Sequence, residues 1–134
     1  HISNLKKGRY SMEFREKQAI YMQIADEFAV NILNNKWKAD EKVPSIRQLA
    51  IDLEVNPNTV MRTYSYLQES NIIYNKRGIG YFVGEDAQKI ILDMMKKRFK
   101  DNELPELFKK MTLLKIEVKE LESYFEEWKK NRNN

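Results

Sequence analysis

Three short groups of residues carry side chains suited to gripping a polyanion. One is Asn56-Pro57-Asn58-Thr59 with Met61 and Arg62 just beyond it, another is Ser45 with Arg47, and the third is Lys76-Arg77-Gly78. Amide and hydroxyl side chains at the start of a helix reach the donor and acceptor edges of base pairs, while free backbone N–H groups and an arginine hold phosphate. A lysine–arginine pair beside glycine suits a narrow groove, because glycine permits close backbone approach and the groove's negative potential draws arginine. Each group also has an ordinary reading. Asn56-Pro57-Asn58-Thr59 is good helix-capping chemistry, Arg47 and Arg62 suit a solvated face, and Gly78 with Gly80 serves a hairpin turn. What raises them above those readings is their order along the chain.

Composition removes the competing chemistries. The 134 residues include no cysteine and one histidine, His1, so thiolate sites, disulfides and histidine-based catalysis or metal ligation are excluded. Carboxylates are scattered over charged helix faces and no glycine-rich phosphate loop is present, so an enzyme has almost no support, and no cofactor or metal is expected. No apolar run approaches the roughly 20 residues of a membrane span and no secretory pattern is evident, which points to a cytoplasmic setting. The net charge of +4 (24 basic minus 20 acidic) hints at an anionic partner, but Lys6, Lys7 and Arg9 supply three of those charges. Residues 21–84 hold seven basic and seven acidic residues, so placement must decide more than the sum. That neutral balance leaves open a second reading, a module for protein–protein or non-sequence-specific nucleic-acid contact.

The elements that must position these groups follow from periodicity. Residues 1–17 form a polar, basic arm; Met12 is a candidate initiator, which would make residues 1–11 foreign to the natural chain. Ile20, Ile24, Phe28 and Ile32 predict a first helix of about 18 residues, ended by Asn34-Asn35-Lys36, with Trp37 plugging the following loop. Ser45 and Gln48 form a capping box for a second helix whose inner face is Ile46, Leu49, Ala50 and Leu53. Asn56 caps a third, with Pro57 at its first position, Val60, Tyr64 and Leu67 buried, and Asn71 closing it in the left-handed conformation. Ile72-Ile73-Tyr74 and Tyr81-Phe82-Val83 predict a hairpin around a basic, glycine-bearing loop. The expected fold class is therefore mainly α with a small β-hairpin: a winged helix-turn-helix over 18–84, followed by a helical segment over 85–134.

The residues also carry a family resemblance. Pro44-Ser45-Ile46-Arg47-Gln48-Leu49-Ala50, Val55-Asn56-Pro57-Asn58-Thr59-Val60, Tyr64, Leu67 and Gly78-x-Gly80-Tyr81-Phe82-Val83 together resemble the DNA-binding head of GntR-family transcriptional regulators. The short remainder resembles the layout of the YtrA-like subgroup, in which a helical tail dimerises the protein. The resemblance implies that Arg47, the first residues of the third helix (Asn56, Asn58, Thr59) and Gly78 touch DNA. Many members place a basic residue directly after the Thr-Val pair, where this chain has Met61 and then Arg62. One position is about 100° around a helix, so Arg62 is expected to face phosphate. The function implied is a sequence-specific regulator, most often a repressor, binding double-stranded DNA.

After Val83 the pattern changes. A fourth helix carries Ala87, Ile90, Ile91, Met94 and Met95 and ends in Lys96-Lys97-Arg98. Past Asp101-Asn102-Glu103, Pro105 opens a long fifth helix with Leu107, Met111, Leu114, Val118, Leu121, Phe125 and Trp128 at alternating steps of four and three. That is a heptad seam. On so short a chain it predicts a homodimer formed by this two-helix segment, reading a palindrome with half-sites about one helical turn apart. The alternative is that the fifth helix folds back on its own chain. An effector ligand is not identifiable from these residues.

Overall fold

A computed structural model describes residues 18–133, so the N-terminal arm and its candidate initiator lie outside the described residues. The elements are α1 (Ile20–Leu33), α2 (Ile46–Leu53), α3 (Pro57–Glu69), β1 (Ile73–Lys76), β2 (Gly80–Val83), α4 (Ala87–Arg98), a π-helical segment (Phe99–Glu103), α5 (Leu104–Leu114) and α6 (Val118–Arg132). They fall into two compact units, a head that runs to Asp93 and a tail that starts at Met94.

The head is built around α3. Its buried stripe is Val60, Thr63, Tyr64 and Leu67, spaced i, i+3, i+4 and i+7. Against it lie Ile24, Ala25, Phe28, Ala29 and Ile32 of α1 and Leu49 and Ala50 of α2, with Val43, Ile72, Ile73 and Val83 also buried. Ile20, expected to start the inner face, is instead 60% exposed, and α1 has 14 residues rather than about 18. It sits in the first turn, before the helix reaches the packed layer.

Two hydroxyls fix the helices. Thr63 Oγ donates to the Tyr21 carbonyl at 2.9 Å, joining α3 to the start of α1. The Tyr64 hydroxyl donates to the Pro44 carbonyl, immediately before α2. The Tyr64 ring meets Phe28 and Tyr81 edge-on, at 5.7 and 4.9 Å between centroids, and Phe28 also meets Trp37 at 4.6 Å. Burial, then the neighbouring Tyr81, pushes the Tyr64 hydroxyl well above the usual phenol range. It stays protonated, which the bond to Pro44 requires.

The hairpin pairs Ile73 with Val83 through Lys76 with Gly80. The Ile79 N–H closes on the Lys76 carbonyl at 2.9 Å, with Gly78 at φ 80°, the position of a type II turn that demands a positive φ. A third rung was not anticipated: Lys42 bridges Phe82, with Val43 N–H donating to Tyr81 C=O and Val83 N–H donating to Glu41 C=O. Three residues ending at Pro44 are too few to show alternation. Asn71 does close α3 in the left-handed region, at φ 63°. A side chain at Gly84 would come within 2.7 Å of its carbonyl.

The tail departs from expectation in two places. Asp101-Asn102-Glu103 is not a loop: helical turns continue, widened to π geometry, into α5. Pro105 cannot donate to the carbonyl four residues back and clashes with it in a tight helix, and a widened turn relieves both. The long fifth helix is in fact two helices. Lys115 takes φ 58° and Ile116 N–H donates to Met111 C=O at 2.9 Å, a six-to-one closure, after which extended Glu117 starts α6. The seam is thus interrupted between Leu114 and Val118. Two of the expected interface residues are interior: Ile91 is 1% exposed and belongs to the head, and Met111 is buried in the tail.

Candidate nucleic-acid interface

The start of α3 is fixed by its own sequence. Asn56, in extended conformation, accepts from the Asn58 N–H through its side-chain oxygen at 2.8 Å, and Pro57 occupies the first turn. The helix thus begins abruptly, with Asn56, Pro57 and Asn58 exposed and Thr59 half-buried. Asn58, Met61, Arg62 and Ser65 form an exposed stripe with the same i, i+3, i+4, i+7 spacing as the buried one. Asn56 is therefore both cap and surface: its side-chain oxygen is engaged by the helix, while the exposed side chain still carries two amide N–H donors.

On α2, Ser45 accepts from the Gln48 N–H at 3.1 Å. The expected capping box is only half made, because the Gln48 side chain turns away to donate to Asp52 at 2.8 Å. Arg47 projects from the exposed first turn. The Tyr64 bond to Pro44 seats this first turn on α3, so the buried tyrosine sets the relation of Arg47 to the exposed α3 stripe. The same ring touches β2 at Tyr81 and so braces the base of the hairpin.

Lys76, Arg77 and Gly78 are exposed at the hairpin end. The Lys76 ammonium lies 4.6 Å from the Phe82 centroid, and Phe82 stacks on Tyr74. The Tyr74 hydroxyl donates to Asp40 at 2.9 Å, and that bond, followed by partial burial and the carboxylate's charge, raises its pKa. Two residues were not singled out from sequence. Lys42 lies across Gly80, its Cε 2.9 Å from where a Cβ would stand. Ile79, directly after Gly78, is exposed. The signal for Lys42 is its bridge to the hairpin, which no local pattern announces.

Among the described residues, none of Lys42, Arg47, Arg62, Lys76 and Arg77 has an acidic partner within ion-pair distance, whereas Lys89, Lys97, Lys109 and Lys129 do. Five of the seven unpaired cations described in the head thus lie on α2, α3 and the hairpin with its third rung; the other two, Lys36 and Lys38, lie on the loop after α1. No group of acidic or histidine side chains able to hold a metal ion occurs among the described residues, and no described helix is long and apolar enough to cross a membrane.

Comparison with known proteins agrees with this geometry. Residues 20–83 match the family model described as bacterial regulatory proteins, gntR family. The HTH-type transcriptional regulator YhcF of Bacillus subtilis (strain 168) is 34% identical over 109 residues, covering 81% of this chain and 88% of that protein. The HTH-type transcriptional repressor YtrA of the same organism is 31% identical over 107 residues, covering 80% and 71%. A crystal structure of a GntR-family transcriptional regulator from Bacteroides thetaiotaomicron superposes with a TM-score of 0.75 at 40% identity, over 87% of this chain and all of that one.

Proposed function

The chain belongs to the gntR family of bacterial regulatory proteins, DNA-binding transcriptional regulators rather than enzymes, and from that premise we propose that it is a repressor that binds a palindromic operator as a homodimer. The observation that carries the docking is the exposed α3 stripe of Asn58, Met61, Arg62 and Ser65 behind the Asn56 cap, with exposed, unpaired Arg47 on α2 and Lys76 and Arg77 on the hairpin. Asn56, Asn58, Thr59 and Met61 enter the major groove. Ser45, Arg47 and Arg62 hold flanking phosphates, and Lys76, Arg77 and Gly78 grip the adjacent minor groove. Repression is suggested by the relative YtrA, which is a transcriptional repressor.

The dimer is formed by a second copy of this chain on the tail. On α6, Val118, Phe125 and Trp128 are exposed and Leu121 is half-buried; Phe125 and Trp128 stack at 6.2 Å, and these residues line an apolar groove with Tyr124 and Glu122. Leu107 and Leu114 of α5 and Met94 of α4 are the further apolar candidates of the tail, and Ile90 is the candidate that lies in the head. Self-association suits such a surface, because a two-fold axis lets one stripe cover its copy. Two linked heads also add their binding energies. Footprinting on a duplex selected from random sequence by the full chain tests this reading: it predicts a dyad-symmetric protected site, and diffuse protection without sequence preference would reject it.

A further inference from the structure

We propose that Tyr21 is a positioning residue for DNA contact: its ring holds the Arg62 guanidinium toward α1, set to meet a duplex phosphate. The inference rests on the DNA-binding reading above. The Arg62 guanidinium carbon lies 4.0 Å from the Tyr21 ring centroid, the shortest such cation–ring approach among the described residues. Stacking uses the face of the planar guanidinium and leaves its N–H edge free, which is the edge that grips a phosphate. Tyr21 is itself anchored beside Arg62, because its carbonyl accepts from Thr63, the next residue of α3. Ring and guanidinium are therefore held on two helices pinned together at that point. An unsupported arginine would lose several rotors on binding, and this one has surrendered part of that freedom in advance.

The stack also divides labour along the exposed stripe. Arg62 leans to the α1 side, while Met61, half exposed, has no such partner and remains for the groove floor, where an apolar side chain meets thymine methyls. Arg62 accordingly contributes affinity without base preference.

The test uses the full chain, a duplex selected by that chain from random sequence, a shuffled duplex, and a salt series. Arg62→Gln should weaken binding to both duplexes by a similar factor and make the slope of log K against log salt shallower by about 1.8, one phosphate's worth for each of the two heads of the proposed dimer. Tyr21→Phe, which keeps the ring, should bind like the parent. Tyr21→Leu and Arg62→Lys, which lose the stack from either side, should each weaken binding on the order of fivefold. Adding Tyr21→Leu to Arg62→Gln should cost nothing further. The proposal is overturned if Tyr21→Leu costs the same factor with and without Arg62, if Tyr21→Phe is as weak as Tyr21→Leu, or if Arg62→Gln leaves the salt slope unchanged. Arg62→Lys keeps the test decisive should Tyr21→Leu unfold. A parent chain without preference between the two duplexes removes the DNA reading itself, whereas a clear preference with additive losses removes only the role of Tyr21.

Discussion

Head and tail handle their apolar residues in opposite ways. In the head, α1, α2, α3 and the hairpin bury a continuous set from Ile24 to Ile91, and among the described residues every buried side-chain polar atom has a hydrogen-bond partner. Among the described residues of the tail, Met111 alone is buried, while Leu113 is 80% and Leu114 64% exposed. One region completes its core within the chain; the other presents apolar side chains at heptad-like spacing with little of its own to cover them. On the proposed reading, the contrast separates two jobs that the sequence blends, presenting a DNA-binding surface and joining two such surfaces.

Perturbing the tail should produce the largest effect. Phe125→Glu with Trp128→Glu places charge on the α6 face, and the proposed dimer should fall to single chains in sedimentation, with operator affinity reduced by about 10²–10⁴ as avidity is lost. The head should keep its helical signal and cooperative melt. A head that unfolds with the tail would break the comparison. Leu67→Ala acts on the other side. It empties a fully buried position and should cost about 2–5 kcal/mol in denaturant unfolding, with oligomeric state unchanged.

Smaller changes sharpen the reading surface. Arg47→Ala should lower operator affinity by about 1–3 kcal/mol without altering the melt. Ser45→Ala removes the cap that seats Arg47 and should cost about 1 kcal/mol of stability. The smallest effect is pH-dependent and belongs to the hairpin. The Tyr74 hydroxyl has a raised pKa in the folded chain, so the native state holds that proton more tightly than the unfolded one. Its contribution is full below the ordinary value of 10.0 and disappears as pH rises through the raised one. The melting temperatures of the parent and Tyr74→Phe should converge over that alkaline window.

The helix-turn-helix was legible because its signals are local. Ser45, Asn56-Pro57 and Asn71 act within one turn of themselves, and the stripes of α2 and α3 are long enough to show their period. The wing was legible through its glycines, although its third rung was not, because Glu41, Lys42 and Val43 acquire strand character only from β2. The tail was misread where a local signal was weak. Lys115 ends α5 without glycine, through the hydrogen bond of Ile116 and the burial of Met111, and a heptad count passes straight over it. Ile90 and Ile91 are indistinguishable by type, yet only Ile91 is sealed in the head. The stack of Arg62 on Tyr21 joins two helices distant in sequence and leaves no pattern in either.

Hydroxyl-radical footprinting of the full chain on its selected duplex addresses the central claim most directly. Two protected minor-groove patches, related by a dyad and flanking unprotected centres about one helical turn apart, are the predicted result. A single asymmetric patch at saturating protein would contradict the pairing of heads through the tail, and uniform protection along the duplex would contradict the docking of α3.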